Sequence, residues 1–328
     1  MKDYQVELTA TGFMTQMPDS QKVFGALVYL FAEKYGDKNA TRLTQAVLNK
    51  QIQLKLSNLM PYGYLPTPQE YLMDLMIQNQ KQEDTLSRKA AYTCMKERDY
   101  ITFRGLEQAM VEPESCVEIF PYVKCDIRQQ QRASIDSVRY NIPGMESQLY
   151  SVPTILLTEI SCNEKGERKE KPVSKFTFYL QVDDSQLNND LVDMLKESTR
   201  IERVLILGKR SSQGLNVFKI SKVIKQEQGS GSGKRYLNMG MLLPDKIDYR
   251  FSILKIFTSE RRPFAMPGGW NKNAQKYYIS FIEQGSIISA PDGVSHAGKS
   301  VESQFNKARD IVFGNAYLYP MPLNGRMI

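Results

Sequence analysis

Polar and apolar residues alternate through Tyr4-Gln5-Val6-Glu7-Leu8-Thr9-Ala10, the period of a strand with one buried face. Asp19-Ser20 then offers an N-cap. Val23, Phe24, Leu27, Leu30 and Phe31 recur at helical spacing, which predicts an amphipathic helix stopping at Gly36. A second helix is expected over about 40–50. Residues 69–109 carry apolar positions at helical spacing with charges between them, after the turn-rich Pro61-Tyr62-Gly63-Tyr64-Leu65-Pro66-Thr67-Pro68 segment. Strand patterns return at 150–160 and 176–182, with a charged turn expected over 163–171. Asp183-Asp184-Ser185 is placed to cap a helix carrying Leu187, Leu191, Met194 and Leu195 on one face. Strand patterns at 204–207 and 215–224 follow, parted by a loop that opens at Gly208.

With the helical block at 69–109 set aside as an insertion, this order is β-α-β-β-α-β, the ferredoxin-like or RRM-like split unit. The expected fold class is therefore α+β, with an antiparallel sheet and two helices on one of its faces. This first domain spans 1–227. Gln228-Gly229-Ser230-Gly231-Ser232-Gly233-Lys234 has the composition of a flexible linker, native or engineered. Strand patterns at 249–258, 277–282 and 311–318 then predict a second, smaller β-rich domain over 235–328.

Composition narrows the chemistry. A length of 328 residues favours two domains, since single cores seldom exceed roughly 250 residues. The longest apolar run, 24–32, is far short of the ~18 residues of a membrane span, and the first residues carry no export pattern; a cytoplasmic protein is expected. Cys94, Cys116, Cys125 and Cys162 form no CxxC pair, so neither a disulfide frame nor a zinc site is expected. The single histidine, His296, lies in a Gly/Ser/Pro-rich stretch that reads as a surface loop. Serine and cysteine triads need an imidazole base, so most hydrolase mechanisms are disfavoured. Asp183-Asp184 and Asp190/Asp193 are better explained as a helix cap and an exposed helix face than as a metal site, and no cofactor is expected.

Charge changes the picture more. Residues 200–276 hold 16 Lys+Arg against 5 Asp+Glu, a balance of +11 in a chain whose net charge is +7. All of the basic surplus belongs to that stretch, interleaved with Tyr236, Phe264 and Trp270 and followed at once by Tyr277 and Tyr278, which is the pattern of a nucleic-acid binder. Arg261, Arg262, Trp270 and Lys272 are its candidate RNA-contacting residues. The sharpest local feature is Gly208-Lys209-Arg210-Ser211-Ser212-Gln213-Gly214. Its two glycines let backbone approach a phosphate, its cations add charge and its hydroxyls can donate to phosphate or ribose. A Walker A reading of Gly229–Arg235 fails, because Gln228 and Arg235 stand where a glycine and a hydroxyl are needed. A third basic region, 128–140, suits a projecting hairpin that presents Arg128, Arg132, Arg139 and Tyr140 to phosphates.

Taken in order, five segments resemble the RAMP superfamily of CRISPR proteins. They are Val23-Phe24-Gly25-Ala26-Leu27; Leu65-Pro66-Thr67-Pro68; Arg132-Ala133-Ser134-Ile135-Asp136 through Leu149-Tyr150; the loop 208–214; and Gly268-Gly269-Trp270 with Lys276 and Gly285-Ser286. Within that superfamily the chain is most similar to the subunits that cap the crRNA 5′ end in type III-A effector complexes. The resemblance implies two RRM-like domains and no catalytic activity. It implies binding of the crRNA 5′ handle by the glycine-rich loop, and a thumb-like hairpin over Arg132–Tyr150 that wedges against the duplex of guide and target RNA near the handle end. It also implies contact with the large polymerase-domain subunit and the repeated backbone RAMP subunits, with no membrane partner. The rival reading is a RAMP endoribonuclease that processes precursor crRNA, with His296 or a Lys/Arg/Ser set near the loop as catalyst. Gln213 and Leu215-Asn216 depart from the richer glycine pattern of the family, and the GSGSG stretch has no counterpart there.

Overall fold

A computed structural model of the chain describes residues 1–79, 85–134, 148–163, 166–226, 234–259, 278–304 and 310–321. Strand β1 (Lys2–Ala10) buries Tyr4, Val6 and Leu8 as its alternation requires. Helix α1 (Ser20–Tyr35) starts where the Asp19 carboxylate accepts the Lys22 N–H at 2.9 Å, and ends at Gly36, whose φ of 85° suits glycine. Helix α2 (Asp37–Leu48) and strands β2 (Leu54–Leu56), β3 (Met60–Pro61) and β4 (Tyr64–Pro66) follow. The insertion holds α3 (Gln69–Asn79), α4 (Thr85–Lys96), β5 (Tyr100–Thr102) and α5 (Phe103–Val111). Then come β6 (Tyr122–Ser134), β7 (Gln148–Cys162), β8 (Arg168–Pro172), β9 (Lys175–Val182), α6 (Gln186–Arg200), β10 (Val204–Ile206) and β11 (Val217–Gln226).

The main sheet has the order β10-β11-β1-β9-β2, with β3 also paired to β9, and all its pairs are antiparallel. Its inner four strands, β11-β1-β9-β2, follow the split β-α-β arrangement, with α1 and α2 leading to β2 and α6 leading away from β9. Helices α1 and α6 lie side by side, tied by the Lys34–Glu197 and Arg203–Glu33 ion pairs and by the Tyr35 hydroxyl donating to the Asp190 carbonyl at 3.3 Å. The Asp183/Asp184 pair is structural. Asp183 accepts from the backbone N–H groups of Gln53 and Ser185 and from the Asn188 amide, while Asp184 pairs with Lys2. Burial pushes the Asp183 carboxyl up, but those bonds outweigh it and hold it below the usual carboxylate range.

A second sheet, β4-β5-β6-β7-β8, stands beside the first. Its longest pair is the β6/β7 hairpin, in register from Tyr122↔Ile160 to Ser134↔Gln148. The charged turn expected over 163–171 is shorter than its composition suggests. Asn163 accepts the Glu167 N–H at 2.8 Å and closes the turn, so Arg168–Pro172 returns as β8 along the β7 edge, satisfying backbone groups that would otherwise stay open.

The C-terminal stretch contributes β12 (Arg235–Asn238), β13 (Ile256–Ser259), β14 (Ile279–Ile282), β15 (Ile287–Ser289), β16 (Val301–Glu302), β17 (Ile311–Val312) and β18 (Leu318–Pro320). They form three small sheets, β15-β12-β18, β13-β14 and β16-β17. Among the described residues after 234 there is no α-helix, and no second sheet of split β-α-β order is formed. The strand expected from Tyr249 begins instead as a 3-10 turn, Tyr249–Phe251, because the Asp248 carboxylate accepts the Arg250 N–H at 3.0 Å. The strand expected over 311–318 is broken at Gly314, where a Cβ would come within 2.4 Å of Leu243.

This stretch packs into the same core as the main sheet. Leu56 donates to the Asn315 carbonyl at 3.1 Å and accepts from Tyr317 at 2.9 Å. Phe313 stacks on Phe24 with ring centroids 4.5 Å apart, a contact worth about 0.5–1.5 kcal/mol beyond the area it buries. Tyr317 packs on Tyr179 at 5.4 Å, on the face of β9 opposite the buried Phe176, Phe178 and Leu180. That face is the usual RNA platform of RRM-like folds. Lys55 is buried there beside Gln181, and burial pulls its ammonium down to about 7 although Asp3 opposes the shift.

Candidate nucleic-acid interface

The open ground lies at the other end of the main sheet, in the loop from β10 to β11. Leu207 and Leu215 are buried at its two ends, while Lys209, Arg210, Ser212, Gln213 and Gly214 are exposed. Ser211–Gln213 makes a single 3-10 turn between two left-handed residues, Arg210 (φ 67°) and Gly214 (φ 73°). The Gln213 and Leu215 N–H groups bond back to the Arg210 carbonyl, and the Gly214 N–H to Ser211. The N–H groups of Gly208, Lys209, Arg210, Ser211 and Ser212 make no hydrogen bond among the described residues. Five successive N–H groups without a partner, two of them on the exposed cations Lys209 and Arg210, are donors that phosphate oxygens can use. A non-glycine residue held left-handed costs about 1–2 kcal/mol, so the fold holds Arg210 there against its preference.

One buried residue keeps the loop in this shape. Asn216 is fully buried and itself left-handed (φ 58°). Its side-chain carbonyl accepts the Thr15 N–H at 2.9 Å. Its amide donates to the Thr15 hydroxyl at 2.9 Å and to the Lys209 carbonyl at 2.8 Å. The segment after β1 is thereby fastened to the loop, and the Asn216 N–H donates to the Phe13 carbonyl at 2.9 Å. Gly12 must be glycine, since a Cβ would lie 2.1 Å from the Gly214 carbonyl oxygen.

The β6/β7 hairpin docks on the same loop. Arg132 donates to the Gln213 side-chain carbonyl at 2.9 Å, and the Arg210 guanidinium lies over the Tyr150 ring, 5.5 Å from its centroid. The hairpin is also anchored below, where the Ile155 N–H donates to the Met14 carbonyl at 2.8 Å. Arg128 is exposed on β6 opposite Thr154. Among the described residues none of Arg128, Arg132, Lys209 and Arg210 is in an ion pair, so their charge is available to an anionic ligand.

The structure thus brings together Gly208, Lys209, Arg210, Ser211, Ser212, Gln213, Gly214, Arg128 and Arg132. Arg139 and Tyr140, and likewise Arg261, Arg262, Trp270 and Lys272, lie outside the described residues, as does the GSGSG stretch. His296 is exposed on the 3-10 turn Val294–His296, and its carbonyl accepts from Lys246. Among the described residues no group of three or more His, Cys, Asp or Glu is placed to hold a metal ion, and no helix is long and apolar enough to cross a membrane. Sequence reasoning missed Gly12, Thr15 and Asn216. The only available signal was the Asn after a glycine-rich loop, a residue that tolerates left-handed backbone.

No family model matches the sequence, and no curated protein does. Solved structures do match in three dimensions. A chain in the crystal structure of a Csm1–Csm4 cassette in complex with cA4 superposes with a TM-score of 0.57 at 14% identity, over 99% of this chain and 100% of that one. A chain in the crystal structure of the Csm3–Csm4 subcomplex of the type III-A CRISPR–Cas interference complex gives 0.58 at 12% identity, over 98% and 100%. Csm4 is the subunit common to the two assemblies. This chain shares the Csm4 fold. The likeness spans the whole chain, so the resemblance read from the sequence is met at the level of fold by full-length neighbours.

Proposed function

We propose that this chain is a non-catalytic crRNA-binding subunit of a type III-A CRISPR effector complex. In that role it binds the 5′ handle of the crRNA and joins the large polymerase-domain subunit to the repeated backbone subunits in the cytoplasm. The observation that carries this reading is the docking of the basic hairpin on the glycine-rich loop, through Arg132–Gln213 and Arg210–Tyr150. The docking brings two cationic elements and five free backbone donors together. Such a grouping suits a single-stranded end, because phosphates, 2′-hydroxyls and unstacked bases can all reach it. The shared Csm4 fold supports the assembly role, since the neighbours were crystallised with Csm1 and with Csm3. The loop carries neither a histidine nor a carboxylate: its side chains are Lys, Arg, Ser and Gln, and His296 sits on a separate turn.

The test is to recover the tagged full-length chain from cells that express its complex. Co-purification of short RNAs with one common 5′ end, together with a large subunit and a repeated subunit, is expected. Site-specific cutting of precursor crRNA by the purified chain, lost in His296→Ala, would replace this reading with the endoribonuclease one.

A further inference from the structure

We infer that Phe13 is a stacking platform for a nucleobase of the single-stranded RNA held by the glycine-rich loop. The inference rests on the RNA-binding reading above and names a residue and a contact that it leaves open.

Phe13 is 62% exposed. A single exposed phenylalanine is unremarkable on most surfaces. Here, however, the backbone on both sides of it is fixed. Thr11 bonds through its N–H and its hydroxyl to the Val217 carbonyl, each at 3.0 Å. Gly12 lies against Gly214, closer than any side chain would allow. The Phe13 carbonyl accepts from Asn216, the Met14 carbonyl accepts from Ile155 of β7, and Thr15 is gripped by the Asn216 side chain. Met14 is buried. Five consecutive residues are therefore held by β11, the loop and the hairpin, and the one large apolar side chain among them that faces solvent is Phe13.

The position adds the second half of the argument. Phe13 is bonded directly to Asn216, the residue whose amide holds the Lys209 carbonyl. It thus sits at the junction of the free-donor loop and the hairpin, the two elements proposed to neutralise phosphates. A backbone-gripping groove with an aromatic ring at its edge is the arrangement by which proteins hold unpaired nucleotides, since every base offers a π-face. An aromatic ring whose backbone is already ordered gives up little entropy when a base lands on it.

Stacking releases no counterions, so it has a signature distinct from that of the cations. The full-length chain is titrated with a fluorescent mixed-sequence single-stranded RNA octamer at several salt concentrations. Phe13→Ala is expected to weaken binding by about 5- to 150-fold with an unchanged salt slope, as loss of one stacked base requires. Phe13→Trp is expected to retain binding, and Phe13→Leu to behave like Ala. Octamers with one abasic nucleotide stepped along the chain are expected to bind wild type weakly at one position, and Phe13→Ala is expected to be insensitive to that position. If Phe13→Ala binds like wild type while Lys209→Ala and Arg210→Ala are weakened, the stacking inference fails and the RNA-binding reading stands. If Phe13→Ala keeps RNA but loses a protein partner on co-purification, the ring is a protein contact instead. If wild type binds no single-stranded RNA, both readings fall.

Discussion

Asn216 offers the most direct perturbation of the loop's architecture. Its side chain makes three hydrogen bonds from a fully buried position and joins the segment after β1 to the Lys209 carbonyl. Asn216→Ala removes all three and leaves the Thr15 N–H, the Thr15 hydroxyl and the Lys209 carbonyl without those partners. At about 1 kcal/mol for each bond the loss is roughly 3 kcal/mol. Alanine also tolerates φ 58° less well than asparagine, which adds on the order of 1 kcal/mol. Asn216→Gly removes the same bonds without the left-handed penalty, so it is expected to be about 1 kcal/mol less damaging than Ala. Thermal unfolding reads both. A fall of about 8–16 °C is expected for Ala, with about 4 kcal/mol lost in all, if each kcal/mol shifts the midpoint by about 2–4 °C. An Asn216→Ala midpoint within about 2 °C of wild type would refute the assignment of Asn216 as the fastening residue.

Two glycines give opposite expectations. Gly12→Ala places a Cβ 2.1 Å from the Gly214 carbonyl oxygen, so a thermal midpoint below wild type and weaker single-stranded RNA binding are expected together. Gly25 lies exposed in α1, and a methyl group added there would meet nothing within 4 Å. Gly25→Ala is therefore expected to raise stability by about 0.5–1 kcal/mol and leave RNA binding alone. Lys55 sets a pH dependence. Its folded pKa of about 7 lies below the ~10.4 of an unfolded lysine, so the unfolded chain binds the extra proton between those values and stability rises with pH across that window. Urea midpoints at about pH 7 and pH 9.5 are expected to differ less in Lys55→Met than in wild type.

The legible parts of the fold were those in which one face is buried over several turns or pleats. The stripe of Val23, Phe24, Leu27, Leu30 and Phe31, the Asp19 cap and the Gly36 stop place α1 to the residue, and alternation places β1. The second sheet was much less legible. Its strands β4 and β5 are three residues long, too short for a period. Beyond Asp126, β6 runs Ile-Arg-Gln-Gln-Gln-Arg, polar on both faces, and is held by the backbone ladder to β7 rather than by burial. The C-terminal strands are short for the same reason, and their order depends on contacts with Leu56 and Phe24 that are distant in sequence.

At the site, charge and glycine spacing pointed to the loop, and the basic composition of 128–140 pointed to the hairpin. That these two elements meet depends on Arg132 reaching Gln213 across 81 positions, which no local pattern encodes. Asn216 and Phe13 act through a single buried amide and a single exposed ring. Their importance comes from where the chain brings them, so periodicity and composition are silent on both.

The central claim is that the glycine-rich loop grips an RNA backbone, and the salt dependence of single-stranded RNA binding tests it most directly. Each phosphate contact contributes about 0.7 to the slope of log K against log salt for single strands. Lys209→Ala and Arg210→Ala are each expected to lower the slope by roughly 0.7 and to weaken binding at low salt. Slopes and affinities that match wild type in both variants would contradict the account.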